Sequence, residues 1–586
     1  MTREPSDRLL LWVVALALLA GACSPRDLWA PDEPRYGQVA REMLRDGNWL
    51  VPTRNGDLYA EKPPIFYWAV ALLSLPLGDV TAVTARLVGA LCAIGCLFAM
   101  QRLARRWFGS PGPPGTALVL FAGTLLIAWN GPRAGLDLPL TCALLWAVER
   151  GGAWLRTGGA WPALAMGACW ALAILVKGPL GLLVPPAILV AEGLTLRHRP
   201  PGRDPGWWLA PLAMVGLCLA WLLPALAFGS EAYRERLLGQ VAGRITGEEG
   251  GHVRAPWYYL LHWPVWTLPC AGLLALGAWA ALRPGAVRGE ARAGLRAALV
   301  AGPILFVALS LTATKRELYL IPGLPFTALA AAWVLERGLW PRAARLATWV
   351  FVGSLCVFTL LLPLLPWLAS VLLVGSTGGE APVLGALAWV ALALGTLAAG
   401  LAALRAWRAR GEPLRAVRSA APLLFVALGI VHVGYLPTAD PYKSLRPVAA
   451  AAEAAAGPEG TVYFGGLTEG TNLLWALERS RTPRVADAAQ LAQALGPGAP
   501  RASAVLTARF WEQVRREASG DPDLARRLAG VREAWRRQAD IRVLVVVTNA
   551  PASGTEGGRD ALPAPAPSLP APDVPRDGPP PSGGPR

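Results

Sequence analysis

The chain consists for most of its length of apolar runs that are separated by short polar segments. Runs of membrane-spanning length, which is about 20 residues, recur between Leu9 and Leu436. Hydrophobic residues make up 54% of the chain and charged residues only 16%. This pattern predicts a polytopic α-helical membrane protein.

Arginines are concentrated in every second segment between the apolar runs. Because loops rich in Lys and Arg stay on the cytoplasmic side of a membrane, these segments are predicted to be cytoplasmic. The net charge of +16 is therefore assigned to membrane topology rather than to nucleic-acid binding. The clusters are Arg102/Arg105/Arg106, Arg150/Arg156, Arg197/Arg199/Arg203, Arg283/Arg288/Arg292/Arg296, Arg337/Arg342/Arg345 and Arg405/Arg408/Arg410/Arg415/Arg418.

One apolar run, Ile65 to Leu77, is predicted to lie at the membrane interface and not to cross it. It is bounded by Pro63-Pro64 and Gly78-Asp79, and about a dozen residues are too few for a span. With the N-terminus in the cytoplasm, the arginine pattern then gives about thirteen transmembrane helices in residues 1–436. Residues 25–78 form the first periplasmic loop, and the C-terminus also lies outside.

An alternative for the N-terminus is a cleaved lipoprotein signal, because Ala20-Gly21-Ala22-Cys23 loosely resembles a lipobox. Two features favour an uncleaved first span instead. Ala20 stands where leucine is usual, and cleavage would detach the following acidic loop from its membrane anchor.

The character of the chain changes after Leu436. Residues 437–549 alternate helical stretches with short β-like runs, which predicts a small periplasmic α/β domain. The helical stretches are Leu445–Ala456, Asn472–Glu478, Ala489–Leu495 and Phe510–Ala518, and the β-like runs are Thr461–Phe464 and Ile541–Thr548. Residues 550–586 are rich in Pro, Gly, Ala and Ser and are predicted to be a disordered tail.

Lysine is rare in this chain, and all four lysines fall on the predicted outer side. Lys62, Lys177 and Lys315 each lie at the mouth of a span. A lysine ammonium is a compact charge that suits a phosphate or a carboxylate at a membrane surface. Interfacial anchoring is the alternative for each lysine alone, but three lysines on one face favour an anionic ligand.

Acidic residues share this outer boundary. Asp32, Glu33 and Glu61 lie in the first outer loop, and Asp137 opens a span from the same side. Glycosyl transfer needs a carboxylate beside the acceptor and positive groups beside a departing phosphate, and both occur here. The structural alternative is that Asp137 caps its helix and that Asp32 caps a helix from Pro34 to Leu44.

His252 is the histidine that lies in a polar outer loop, shortly before the sequence Trp257-Tyr258-Tyr259. A single histidine in a loop usually has no special role, but it can also be a metal ligand. The position of His252 alone does not decide between these two alternatives.

Several motifs, in this order, resemble the bacterial lipid-linked sugar transferases of glycosyltransferase family 39. They are DEPRY from Asp32, YAEKPP from Tyr59, the turn at Asp137, LVKGPLG around Lys177, HVRAPWYYLLHWP from His252 and KRELYLIPGLP from Lys315. The pattern is closest to that of the aminoarabinose lipid A transferases and covers roughly residues 9–436. It implies a GT-C fold, a polyprenyl-phosphate sugar donor, no nucleotide cofactor, and transfer on the periplasmic face of the bacterial inner membrane.

The resemblance also implies roles for individual residues. Asp32 matches the principal catalytic acid and Asp137 the second acidic position. Glu33 beside Asp32 is expected to bind substrate, and the positions that match a donor or acceptor pocket are Tyr36, Tyr59, Lys62, Lys177, Lys315 and Tyr319. Glu61 and His252 fall where family members can hold a divalent metal ion. The sugar and the acceptor, whether a lipid A-like lipid, a glycan or a protein, are left open.

Two other functions fit a polytopic protein. A transporter or flippase of lipid-linked sugars should carry ionisable residues near the middle of its spans, whereas here they lie at outer loop edges. A transferase that uses a cytoplasmic nucleotide sugar would need an acid pair such as Asp521-Pro522-Asp523. That segment also fits a turn and helix cap, and its domain is predicted to lie outside.

Overall fold

The computed structural model describes residues 4–109, 114–194, 202–246, 254–282, 295, 298, 310, 315–369, 384–467, 470–539 and 542–551. The chain folds into two compact units. The first comprises Met1–Ala449, Thr468–Thr482 and Gln538–Ile541, and the second Ala450–Leu467, Pro483–Arg537 and Arg542–Arg586. His252 and residues 552–586, which include nearly all of the predicted disordered tail, lie outside the described residues.

The first unit is almost entirely helical. Its helices are Glu4–Ala22, Glu33–Asp46, Ile65–Ser74, Ala82–Phe108, Pro114–Ala122, Leu125–Asn130, Asp137–Thr157, Ala160–Lys177, Pro179–Gly193, Gly206–Phe228, Glu231–Thr246, Tyr258–Trp266, Ala271–Ala281, Leu324–Glu336, Pro341–Leu361, Leu365–Ala369, Ala386–Arg408, Pro413–Ile430, Asp440–Lys443 and Thr471–Ala476. Tighter 3₁₀ turns occupy Leu75–Leu77, Glu317–Gly323, Leu362–Leu364 and Leu436–Ala439, and a π-helical turn occupies Val431–Tyr435. Strands β1 (Thr53–Arg54) and β2 (Asp57–Leu58) form a small antiparallel hairpin in the first loop.

Seven helical segments within the described residues are long and apolar enough to cross a membrane. They are Ala82–Phe108, Ala160–Lys177, Gly206–Phe228, Glu317–Glu336, Pro341–Leu368, Ala386–Arg408 and Pro413–Lys443. These helices agree with the predicted polytopic helical membrane fold. The run Ile65–Leu77 forms a short apolar helix, as its length predicted.

The helix Glu33–Asp46 in the first loop is set by recognisable end signals. Pro34 lies in its first turn, where a missing N–H costs nothing, and Gly47 ends it at φ +69°, a conformation that favours glycine. Its Arg41 is buried and lies 3.9 Å above the Trp475 ring. Arg41 also donates to the carbonyl oxygens of Trp475 and Val80, so that this helix is held from two sides.

Glu33 joins the start of the first loop to the turn before the helix Asp137–Thr157. Its carboxylate is fully buried and accepts hydrogen bonds from Arg26 at 2.8 and 3.1 Å. Arg133 lies 3.2 Å away, and the backbone N–H groups of Trp29 and Ala134 donate to the same carboxylate at 3.1 Å. Burial opposes the charged form, but Arg133 and Arg26 outweigh it and lower the pKa of Glu33 to about 2.

The second unit contains a five-stranded mixed sheet in the order β4-β3-β5-β7-β6. Its strands are β3 (Thr461–Gly465), β4 (Arg484–Val485), β5 (Ala502–Thr507), β6 (Arg532–Ala539), the last two residues of which are assigned to the first unit, and β7 (Arg542–Thr548). β3 is parallel to β4 and β5, and β7 is antiparallel to β5, with Val505 opposite Val546. The helices are Arg446–Ala456, which begins in the first unit, Ala488–Leu495, Ala508–Gly520 and Pro522–Leu528.

All four helical stretches and both β-like runs predicted for this part of the chain are present. Asp521 caps the last helix, since its side chain accepts from the N–H groups of Asp523 and Leu524. The compact second unit begins at Ala450 and excludes Thr468–Thr482. The change of composition after Leu436 therefore marks the end of the apolar helices and precedes the division between the units.

We expect Glu33→Gln to destabilise the protein strongly, because it leaves the buried guanidinium groups without a charged partner. Breaking a buried ion pair costs about 3–5 kcal/mol, whereas Asp57→Asn, at an exposed acid of the same loop, should change stability by at most about 0.5 kcal/mol. Thermal unfolding in detergent at pH 7 measures both.

A comparison of wild type with Glu33→Gln also tests how the stability depends on pH. Because the pKa of Glu33 falls from its usual 4.5 to about 2 on folding, the stabilisation is complete above about pH 5 and is lost as the pH falls from about 4.5 to 2. The stability difference between wild type and Glu33→Gln should therefore shrink over that range. A difference that stays constant down to pH 2 would contradict the assignment.

Candidate active site

A cavity of about 320 Å³ lies in the first unit, where several distant segments of the chain converge. The charged and aromatic residues that line it are Asp32, Glu33, Arg35, Tyr36, Tyr59, Glu61, Lys62, Trp129, Arg133, Asp137, Lys177, Arg316, Glu317 and Tyr319. Eight of the nine predicted catalytic and substrate-binding residues are among them, and Lys315 is the exception. The cavity thus brings together residues that are almost 290 positions apart in the sequence.

Asp32 occupies the N-cap position of the helix Glu33–Asp46, but its side chain makes no capping hydrogen bond. Its two oxygens instead accept from Arg35 at 2.5 Å and from Arg316 at 2.6 Å. Burial opposes the charged form, but Arg316 and Arg35 together lower the pKa of Asp32 to about 2. Asp32 is therefore ionised at neutral pH and holds two guanidinium groups at the cavity.

Asp137 and Lys177 form a second pair of opposite charges in the cavity. Lys177, the last residue of its helix, donates to the Asp137 carboxylate through a short contact. Its Nζ also lies 4.4 Å from the centroid of the Tyr319 ring, which is cation–π distance. The helix that Asp137 opens has Leu136 at its N-cap position, so Asp137 lies in the first turn and is not the cap.

Tyr36 and Tyr59 form an aromatic wall that is buried behind the charged groups. Tyr36 packs edge-on against Phe66, and the Tyr59 hydroxyl donates to Glu61 at 3.3 Å. Burial raises the pKa of both phenols well above the usual value of 10, so they are neutral groups at any physiological pH. Lys62 lines the same cavity and is half-buried.

The surroundings of Glu61 do not suit a divalent cation. Arg35 and Arg54 each lie 3.3 Å from its carboxylate oxygens, and two guanidinium groups at that distance repel added positive charge. Among the described residues, no cluster of three His, Cys, Asp or Glu side chains is arranged to hold a metal ion. His252, the other predicted ligand, lies outside the described residues.

Lys315 is buried and donates to the carbonyl oxygen of Arg254 at 3.1 Å. Its neighbour Arg316 enters the cavity instead and binds Asp32. The residues that sequence reasoning missed are thus arginines, Arg35 and Arg316 on Asp32 and Arg133 on Glu33. Arg35 and Arg316 stand inside the motifs DEPRY and KRELY, so that attention to arginine as well as lysine would have found them.

Residues 61–226 match the family model described as dolichyl-phosphate-mannose-protein mannosyltransferase. Proteins named undecaprenyl phosphate-alpha-4-amino-4-deoxy-L-arabinose arabinosyl transferase are similar in sequence. The relative from Shewanella sediminis is 27% identical over 60% of this chain and 62% of its own length. The one from Pseudomonas aeruginosa strain UCBPP-PA14 is 32% identical over 47% of this chain and 50% of its own length. The chain thus spans about half to two thirds of the curated relatives that it matches.

The fold has a match among solved structures. The crystal structure of ArnT from Cupriavidus metallidurans bound to undecaprenyl phosphate superposes with a TM-score of 0.70, at 21% sequence identity, over 94% of this chain and 99% of that one. The apo structure of the same protein matches with a TM-score of 0.68. The resemblance predicted from the motifs is therefore confirmed: the chain has the GT-C membrane fold and resembles the aminoarabinose arabinosyl transferases.

Proposed function

We propose that the chain is an integral-membrane glycosyltransferase that moves a sugar from a polyprenyl-phosphate donor to an acceptor of the cell envelope. A lipid A-like lipid is the first candidate for the acceptor, and a glycan or a protein is the alternative. The observation that carries the proposal is the cavity in which Asp32 holds two guanidinium groups beside Lys62 and Lys177. The names of the similar proteins, which include undecaprenyl phosphate and a transferred aminoarabinose, support the same donor class.

The cations of the cavity bind the phosphate of the donor. A polyprenyl phosphate brings at least one negative charge to a membrane surface, and guanidinium and ammonium groups bind phosphate oxygens strongly. Arg35 and Arg316 are already fixed by Asp32. They therefore lose little side-chain entropy when they bind a phosphate, and this raises the affinity of the site.

The chemistry breaks the bond between the anomeric carbon and the phosphate oxygen, and the electron pair stays on that oxygen. Arg35, Arg316 and Lys62 stabilise the negative charge that develops on the leaving phosphate, while the anomeric carbon gains oxocarbenium character. The acceptor oxygen then forms the new bond to this carbon. A phosphate acceptor is already ionised, whereas a hydroxyl acceptor gives its proton to the departing phosphate. Because Arg35 and Arg316 are fixed by ion pairs with Asp32 before the reaction, little reorganisation is needed at the transition state.

Asp32 is a weak base in this arrangement, because its pKa is about 2. We assign to it the positioning of Arg35 and Arg316 and the stabilisation of positive charge on the sugar, and not the removal of a proton from the acceptor. An acceptor that is itself a phosphate is ionised at neutral pH and needs no base. Asp137 has the parallel role of holding Lys177 at the other side of the cavity.

We place the cavity on the periplasmic face of the bacterial inner membrane. The helix Asp137–Thr157 begins in the cavity and ends near Arg156, and its 21 residues correspond to about 30 Å. At that far end lie buried acids that bind arginines, Glu149 with Arg102 at 2.8 Å and Glu192 with Arg156 at 2.5 Å. Because arginine-rich ends face the cytoplasm, the cavity faces the opposite side.

The remaining topology follows from the same reasoning. About thirteen spans in residues 1–436, a cytoplasmic N-terminus and a periplasmic C-terminus agree with the arginine pattern. The α/β domain of residues 437–549 then lies in the periplasm and carries a disordered tail of residues 550–586. No step of the mechanism uses a metal ion, since two arginines surround Glu61.

We expect Asp32→Asn to lower kcat by about 10²–10³, because Arg35 and Arg316 lose the charge that fixes them in the cavity. The assay is release of polyprenyl phosphate by purified full-length protein from a panel of polyprenyl-phosphate sugars. Asp57→Asn, at an exposed position of the same loop, is the matched control and should retain wild-type turnover. Wild-type turnover by Asp32→Asn, with unchanged thermal stability of the variant, would overturn the proposed role.

Asp137 and Lys177 should behave as one unit. Because Asp137 acts by holding Lys177, the double variant Asp137→Asn/Lys177→Ala should lower kcat/KM by no more than about the worse single variant. Lys443→Ala, which changes a lysine outside the cavity, is the control. Single effects that simply multiply in the double variant would show that the two residues act independently.

Removal of Arg316 should shift the pH profile in a known direction. Arg316 lowers the pKa of Asp32, so that Arg316→Gln should raise it by about 1–3 units. Wild-type kcat/KM should therefore show no acid limb from Asp32 above about pH 4, and residual Arg316→Gln activity should decline at a correspondingly higher pH. An acid limb that is identical in both proteins would contradict the assigned ion pair.

A further inference from the structure

A second cavity, of about 560 Å³, lies at the other end of one of the helices that lead away from the active site. The candidate span Glu317–Glu336 begins at the segment whose Tyr319 lines the active site, and Leu335 near its end lines the second cavity. Twenty residues of helix correspond to about 30 Å, which is the thickness of the hydrocarbon core. The two cavities therefore lie at opposite faces of the membrane.

The walls of the second cavity combine apolar and basic residues. Leu335, at the end of one membrane helix, and Pro341, Ala344 and Leu414, at the start of two others, provide an apolar surface. Three arginines line the same space, and one acid, Glu412, stands among them. A basic pocket between membrane helices on the cytoplasmic side is the arrangement that binds anionic lipid headgroups.

The three arginines differ in what already binds them. Arg418 is structural, because it is mostly buried and pairs with Asp7 at 2.5 Å and with Glu336 at 3.3 Å. Arg415 is 72% exposed, and its 3.5 Å contact with the equally exposed Glu412 contributes little in water. Arg345 is exposed and makes no hydrogen bond or ion pair within the part of the chain that the structure describes.

We propose that this cavity binds the headgroup of an anionic phospholipid from the cytoplasmic leaflet. Its phosphate lies against Arg345 and Arg415, and the first part of an acyl chain lies along Leu335 and Leu414. The apolar wall and the position at the end of a span select a membrane lipid over a soluble anion. The site is independent of the proposed sugar transfer, since it lies on the opposite face from the cavity that binds the donor.

The test is lipid binding by the purified full-length chain, measured by native mass spectrometry and by thermal unfolding in detergent. Phosphatidylglycerol should bind and raise the unfolding temperature, and phosphatidylcholine should do so much less. Arg345→Gln/Arg415→Gln should weaken phosphatidylglycerol binding roughly 30-fold, about fivefold for each arginine. Both side chains are exposed, so these substitutions should leave folding intact.

Two control proteins separate this site from general surface charge. Arg342→Gln/Arg408→Gln removes the same charge from exposed positions that do not line the cavity, and it should bind the lipid nearly as wild type does. Arg345→Lys/Arg415→Lys should retain most of the binding, because the charge remains. Equal loss in both Gln pairs, or no loss in either, would overturn the proposal. Stabilisation by inorganic phosphate that equals the effect of phosphatidylglycerol would also overturn it, since the cavity would then bind a soluble anion.

Discussion

The buried carboxylate of Glu33 is the interaction on which the active site depends. It ties the first outer loop, through Arg26 and Trp29, to the turn at Arg133 and Ala134. This contact brings Asp32, the preceding residue in the chain, to the same cavity as Asp137. A buried ion pair contributes little net stability but is costly to break, so it specifies where the loop lies more than it stabilises the fold.

Further ion pairs form next to the buried Glu33 carboxylate. Asp32 and Asp137 each hold cations at the cavity, Arg35 and Arg316 on one side and Lys177 on the other. The cavity is lined by equal numbers of acids and bases. Of its cations, Arg35, Arg133, Lys177 and Arg316 form ion pairs with carboxylates in the structure. A guanidinium group has five N–H donors, so that Arg35 and Arg316 can bind an incoming phosphate while they stay paired with Asp32, and no charge is left buried without a counterion.

Much of the cavity could be predicted from the sequence, because scarcity is informative in an apolar chain. Lys62, Lys177 and the acids of DEPRY stand out against spans that exclude charge, and the structure brings them to one cavity. The choice between Lys315 and Arg316 could not be predicted. Adjacent residues in the turn before a helix point in different directions, and only the fold determines that Arg316 faces Asp32.

The sequence also did not predict the side-chain contacts at one helix end or one strand of the second unit. Asp32 has the sequence position of a helix cap, yet its side chain binds Arg35 of the same helix and Arg316 from a distant part of the chain. The strand Ala502–Thr507 was not predicted, because its small residues carry little β propensity and its burial comes from pairing with β3 and β7 on either side. The local sequence pattern does not show which distant strands will pair with a segment.

The proposed reaction is transfer of a sugar from a polyprenyl phosphate, and not movement of the intact lipid-linked sugar across the membrane. The most direct measurement uses proteoliposomes that contain the full-length protein, a polyprenyl-phosphate sugar and a lipid A acceptor, with mass spectrometry of all the lipids. If the protein is a transferase, polyprenyl phosphate and glycosylated acceptor should appear in equal amounts. Passage of the intact lipid-linked sugar across the bilayer, with neither product formed, would contradict the proposed reaction and would indicate a transporter.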